Sequence, residues 1–163
     1  FSYPDNSQFR LLTDDRIKAD KSLAQKLGCQ IGDEWVQISG LRTLGSEGMP
    51  ICWASVYVIP EYGSIAQRLS GSSRPVYEMI AETFKESIEN ITVRLTAGVL
   101  SAQKAETLGV EEGTPSLSVS RFYQGRGGRV FEVSISEHPA SNFNYTFEFT
   151  RGWQTADHWS WSN

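Results

Sequence analysis

The chain reads as an α+β protein built on a mainly antiparallel sheet with an internal repeat. Three observations predict this. First, Ala24, Leu27, Gly28 and Gly32 recur 81 positions later as Ala105, Leu108, Gly109 and Gly113, and each set precedes a strand-like run (35–42 and 116–123). Second, each run leads through a Gly-containing turn, Ser46-Glu47-Gly48 or Arg126-Gly127-Gly128, into another strand-like run. Third, hairpins dominate and helices do not alternate one-for-one with strands, so a doubly wound parallel sheet is not expected. A unit used twice predicts a pseudo-symmetric sheet with related crevices.

The elements follow in order. Residues 1–8 read as an irregular lead-in and 9–17 as a strand. Asp20 is placed to cap a helix through Leu27, whose apolar face is Leu23, Ala24 and Leu27, with Gly28 as its stop. Residues 34–43 alternate as a strand. Residues 49–59 form a continuous apolar run, expected to be buried on both faces and ended by Pro60. A helix is expected over 61–69. Ser70-Gly71-Ser72-Ser73 is a loop, and Pro75 opens a second helix with Val76, Met79, Ile80 and Phe84 as its stripe. Residues 91–100 alternate as a long strand. Ser101 caps a short helix stopped by Gly109. Residues 116–123 and 129–138 form a hairpin, and 145–149 a last strand. The tail beyond Thr150 carries Trp153, Trp159 and Trp161, expected to be a docking segment or a non-native extension.

The 163 residues are 39% hydrophobic, with 8 Phe, 6 Tyr and 5 Trp. That suits one domain with a true core, or two half-domains sharing a sheet. A net charge of −4 argues against direct nucleic-acid binding by these residues. No run is long enough to cross a membrane as a helix, and no signal peptide or lipidation box is present. The chain begins at Phe1, which fits a fragment or a processed product. Cys29 and Cys52 lack C-x-x-C spacing and read as reduced thiols of a cytoplasmic protein.

Alternation assigns faces. Leu117, Val119 and Arg121 share one, as do Val36, Ile38, Gly40 and Arg42. An arginine ending an apolar row either pairs with an acid or meets a ligand anion. In the return strand, Glu132, Ser134, Ser136 and His138 share a face, which is either solvent-exposed or pocket-lining with Glu132 accepting hydrogen bonds from a ligand. His138 precedes Pro139 at a strand end and reads as structural.

Known chemical motifs are missing. GxG at Gly125 fails as GxGxxG because residue 130 is Val, so a hairpin turn is expected. No Walker A, zinc spacing or cofactor signature is present, and Gly71-Ser72-Ser73-Arg74-Pro75 lacks the last glycine of a nucleophile elbow.

In order, Ala105-x-x-Leu108-Gly109-Val110-x-x-Gly113-x-Pro115-x-Leu117-x-Val119-x-Arg121, Glu132-Val133-Ser134-x-Ser136, His138-Pro139 and Phe143-x-Tyr145 resemble the UTRA (UbiC transcription regulator-associated) domain, the effector-binding half of GntR-family regulators of the HutC type. Trp35-x-x-Ile38-x-x-Leu41-Arg42, Gly48-x-Pro50-Ile51, Val58-Ile59-Pro60 and Val76-Tyr77 agree. The resemblance implies a chorismate-lyase-like fold and a pocket for a small-molecule effector. It also implies a homodimer, and a winged helix-turn-helix that binds operator DNA and is not among these residues. The division expected is a lead-in and first strand over 1–18, the effector-binding domain over 19–150 and the tail over 151–163.

Family ligand positions carry over in part. Phosphosugar-binding members use Arg-x-Arg where this chain has Gly40-Leu41-Arg42, and Ser-x-Tyr where it has Pro75-Val76-Tyr77. The retained Arg42, Tyr77 and Glu132 favour a carboxylate or amino-acid-like effector. Arg94, Arg121 and Tyr145 complete the expected effector-binding set. No catalytic residue, metal or cofactor is expected. The alternatives are a chorismate-lyase-like enzyme using Arg42 and Glu132, and a dimerisation domain without ligand.

Overall fold

The computed structural model describes residues 6–151 and 160–162. Six strands form one antiparallel sheet in the order β1-β2-β3-β6-β5-β4. They are β1 (Ser7–Lys18), β2 (Glu34–Leu44), β3 (Met49–Val58), β4 (Asn90–Val99), β5 (Pro115–Gln124) and β6 (Val130–Pro139). A separate two-stranded ribbon joins β7 (Thr146–Glu148) to β8 (Ser160–Ser162). The expected α+β class and antiparallel sheet are thus present, and the first strand is an integral edge of it. Of the tail, Trp153 and Trp159 lie outside the described residues, and Trp161 lies in β8 opposite Phe147.

The repeat is a geometric pseudo-symmetry. Ser39 pairs with Ser55 in the first hairpin, and Ser120 with Ile135 in the second. Ser55 and Ile135 are therefore counterparts, and they face each other across the β3–β6 seam. A pseudo-two-fold axis passes between them, normal to the sheet. The caps obey the same relation. Asp20 accepts the Leu23 amide before α1 (Lys21–Leu27), and Ser101 accepts the Lys104 amide before α3 (Ala102–Leu108). Each helix ends on a glycine in the left-handed region, Gly28 (φ 68°) and Gly109 (φ 71°), where a side chain would be strained.

α1 and α3 lie on one face of the sheet, α3 burying Ala105 and Leu108 against Leu41 and Trp53. The other face is covered by α2 (Val76–Phe84) and by residues Pro60–Arg68, which form the helix expected over 61–69 and wind it as a tight 3-10 helix. The packing is close: a Cβ at Gly63 would come within 2.7 Å of Val36 Cγ2, so this segment lies almost directly on β2. Met79 and Ile80 of α2 join Ile38, Val56 and Val58 in the main core. Among the described residues, no helix is long and apolar enough to cross a membrane.

Candidate functional site

The pseudo-symmetric halves differ where α2 begins. There a cavity with about 460 Å³ of empty space, part of it open to solvent, sits between the sheet and the loop entering α2. Phe9 of β1, Arg42 of β2, Ala54 and Val56 of β3, Arg121 and Tyr123 of β5, and Glu132, Ser134 and Ser136 of β6 form its floor and walls. Pro75 and Val76 close it from above. Strand register explains the grouping, since Arg121 lies opposite Ser134, Tyr123 opposite Glu132, and Val56 opposite Ser134 from the other side.

Three ionisable side chains are buried here: Arg42 is 5% exposed, Arg121 4% and Glu132 1%. Arg42 Nη1 donates to the Ser72 carbonyl at 2.9 Å, and its guanidinium lies 5.5 Å from the Phe9 ring centre. It therefore ties β2 to the loop that roofs the cavity. Glu132 Oε2 has no hydrogen-bond partner among the described residues. Burial pushes the Glu132 carboxyl up to about 8, against the opposing pull of Arg121. Near neutral pH it is thus largely a carboxylic acid, able to donate as well as accept. His138 is held down to about 4, chiefly by burial, with Arg121 acting in the same direction. It is neutral, stacks on Phe143 at 3.6 Å between ring centres, and places Nδ1 3.3 Å from the Leu117 carbonyl oxygen.

Of the six residues expected to bind an effector, Arg42, Arg121 and Glu132 meet in this cavity. Tyr77 lies just behind its wall, stacked on Tyr123 at 4.7 Å, with its hydroxyl directed to Glu78. Burial is the largest cause of its raised pKa, and Glu132 contributes. Arg94 is not brought to the cavity. It pairs with Ser120 on the opposite face of the sheet and lies over the Phe122 ring. Tyr145 packs between Phe143 and Phe147, outside the lining. Sequence reasoning missed Phe9 and the apolar wall of Ala54, Val56 and Val76. Their hydrophobicity marks them only as core, and the cavity arises from the long-range placement of α2.

The arrangement suits recognition. It offers two buried cations for an anionic group, one buried acid for a donor, and an apolar floor that fixes orientation. Among the described residues, no cluster of His, Cys, Asp and Glu could hold a metal.

The sheet order, the flanking helices and the buried polar cavity under one of them define an α+β domain. The UTRA domain family matches residues 3–144, and the chain belongs to that family, with its chorismate-lyase-like fold. The ligand-binding domain of a Bordetella bronchiseptica protein assigned to the GntR-family transcriptional regulators is similar, with a TM-score of 0.68 at 21% identity over 100% of this chain and 91% of that one. A GntR-family regulator from Bacillus cereus has a TM-score of 0.73 at 19% identity over 89% of this chain and 99% of that one. PhnF from Mycobacterium smegmatis has a TM-score of 0.69 at 16% identity, with 85% and 60% covered. No curated protein sequence matches the chain.

Proposed function

We propose that this chain is the effector-sensing and dimerisation domain of a bacterial, cytoplasmic GntR-family transcriptional regulator, and not an enzyme. The observation that carries this reading is the buried Glu132 carboxyl, with an unpartnered oxygen, beside Arg121 in a cavity also lined by Arg42. A buried polar oxygen without a partner costs free energy, which a ligand donor would recover. Two buried guanidinium groups lining one cavity favour a ligand with an anionic end. Its other end offers an amine or hydroxyl to Glu132, as in a carboxylate or amino-acid-like metabolite rather than a phosphosugar. Arg42 and Arg121 hold the anion, and Tyr77 supports the wall through Tyr123.

Binding pulls on the loop held by Arg42 and selects one arrangement of a homodimer, and thereby the spacing of DNA-binding domains outside this chain. The ligand shifts that equilibrium only by its difference in affinity for the two states. A thermal-shift screen of carboxylates, amino acids and phosphosugars tests the reading, with native mass spectrometry to weigh any co-purified ligand. Stabilisation by carboxylates or amino acids is expected. Stabilisation by phosphosugars alone would overturn the ligand class, and pyruvate release from chorismate would overturn the non-enzymatic assignment.

A further inference from the structure

Strand alternation gives the sheet two faces, and a second cavity lies directly behind the first. Ala54 and Val56 of β3 line the first cavity, while Trp53, Ser55 and Tyr57 line the second. The second has about 1010 Å³ of empty space, part of it open to solvent, on the face that carries α1 and α3. Ser55 and Ile135, which flank the pseudo-two-fold axis, are both in its lining, so the cavity sits on that axis.

Helices packed on a sheet normally fill the space between them with apolar side chains. Here the floor is polar: Ser39 and Ser55 are each 7% exposed and Tyr57 5%. Gln37 Nε2 donates to Tyr57 Oη at 3.1 Å, and Trp53 Nε1 donates to Ser55 Oγ at 3.2 Å. Each of these hydroxyls accepts from a protein group, and among the described residues its O–H has no acceptor, which leaves it to donate into the cavity. Burial first, and Glu137 second, push the Tyr57 pKa up, so its proton is retained. The pairing of β1 with β2 adds to the lining. Leu11 pairs with Gly40 and Thr13 with Ser39, so Leu12 is an extra residue, a bulge. Bulges re-aim side chains, and Leu12 and Thr13 both border the cavity.

The charges on the wall are already balanced. Lys104 of α3 pairs with Glu137 of β6, the side chains being 25% and 17% exposed, and Lys104 lies 5.9 Å from the Trp53 ring centre. Lys26 of α1 is exposed at the rim. A charged ligand would bring to this wall a charge with no buried counter-ion, which is costly. A neutral ligand with several hydroxyls brings none, and hydroxyl and amide side chains match each of its hydroxyls as donor or acceptor.

We propose that this cavity is a second small-molecule site, for a neutral polyhydroxylated ligand such as a sugar or cyclitol, separate from the cavity of Arg42, Arg121 and Glu132. Ser55 and Tyr57 hold ligand hydroxyls from the floor, Gln103 of α3 holds them from the wall, and Trp53 and Ile135 meet the apolar side of the ring. The site does not depend on the ligand class proposed for the first cavity.

Calorimetric titration of the 163-residue chain with glucose, maltose and myo-inositol in polyol-free buffer tests this, with acetate and alanine as charged controls. At least one of the three polyols is expected to bind. Tyr57→Phe removes one hydroxyl and is expected to weaken that binding about fivefold, the worth of one neutral hydrogen bond, with circular dichroism unchanged. Gln103→Ala, at an exposed position, is expected to weaken it as well and keeps the test valid if Tyr57→Phe alters the fold. Polyol binding that both variants retain at the parent's affinity would overturn the site. Binding by none of the three would overturn it too, while the effector reading would still stand or fall on its own ligand screen. Binding of acetate or alanine that Tyr57→Phe abolishes would overturn the ligand class.

Discussion

Gly40 and Arg121 occupy the same position in the two halves of the chain. Gly40 pairs with Ala54 in one hairpin, and Arg121 with Ser134 in the other. Where the second half places a guanidinium, the first places no side chain at all. The vacated space is filled by Phe9, whose ring would lie 2.6 Å from a Cβ at Gly40. Divergence of the repeat thus made one cavity with a cation on one side and an aromatic ring on the other.

Gly40→Ala should therefore be costly. The added carbon would clash with the Arg10 carbonyl as well as the Phe9 ring, and backbone cannot yield as a flexible side chain does. A loss of about 1–3 kcal/mol is expected from overpacking. Urea denaturation measures it, and a variant as stable as the parent would refute the packing argument.

Arg42→Ala removes the bond to the Ser72 carbonyl and the contact with Phe9. A loss of about 2 kcal/mol in stability is expected, typical of a buried charge-assisted hydrogen bond. The Phe9 amide, which donates to the same Ser72 oxygen, should exchange faster with solvent. Unchanged protection at Phe9 would show that the loop is held by other contacts.

The pH dependence of stability has a worked sign. The Glu132 carboxyl titrates near 8 in the fold and near 4.5 when unfolded, so the folded state holds the extra proton and stability falls as pH rises between these values. His138 titrates near 4 in the fold and 6.5 when unfolded, so its contribution rises over that lower range and opposes the trend. Between pH 6.5 and 8 the His138 contribution fades and the Glu132 effect is the larger of the two. Glu132→Gln should flatten the decline between pH 6.5 and 8, read from denaturation midpoints. An equal slope in the variant would exclude Glu132 as its source.

The equivalent caps offer a paired comparison. Asp20→Ala and Ser101→Ala each remove an acceptor for a first-turn amide, Leu23 and Lys104 respectively. About 1 kcal/mol is expected for each. The two should add in the double variant, because the sites are on separate helices. Strong non-additivity in thermal unfolding would show that the two halves are coupled through more than the sheet.

Local signals were legible and cross-strand ones were not. Asp20 with Gly28, and Ser101 with Gly109, bracket their helices because caps act within a few residues. Alternation put Arg121 among apolar neighbours and grouped Glu132 with Ser134 and Ser136. The same alternation could not relate β4 to β5, and Arg94 was expected at the site although Val93 lies opposite Arg121. Phe9 and Val76 come from opposite ends of a long loop closure, and nothing in their local pattern separates cavity wall from core. The 3-10 winding of Pro60–Arg68 likewise depends on Gly63 pressing against β2.

The Ser72 carbonyl accepts two donors, the Phe9 amide and Arg42 Nη1. It acts as a junction where the outermost strand, the cavity and its roof share a single atom. On the proposed reading, a bound anion that drew the Arg42 guanidinium inward would leave that oxygen to the first strand alone. If the proposed site is occupied, that shared oxygen would let occupancy deep in the sheet be felt at the start of the fold.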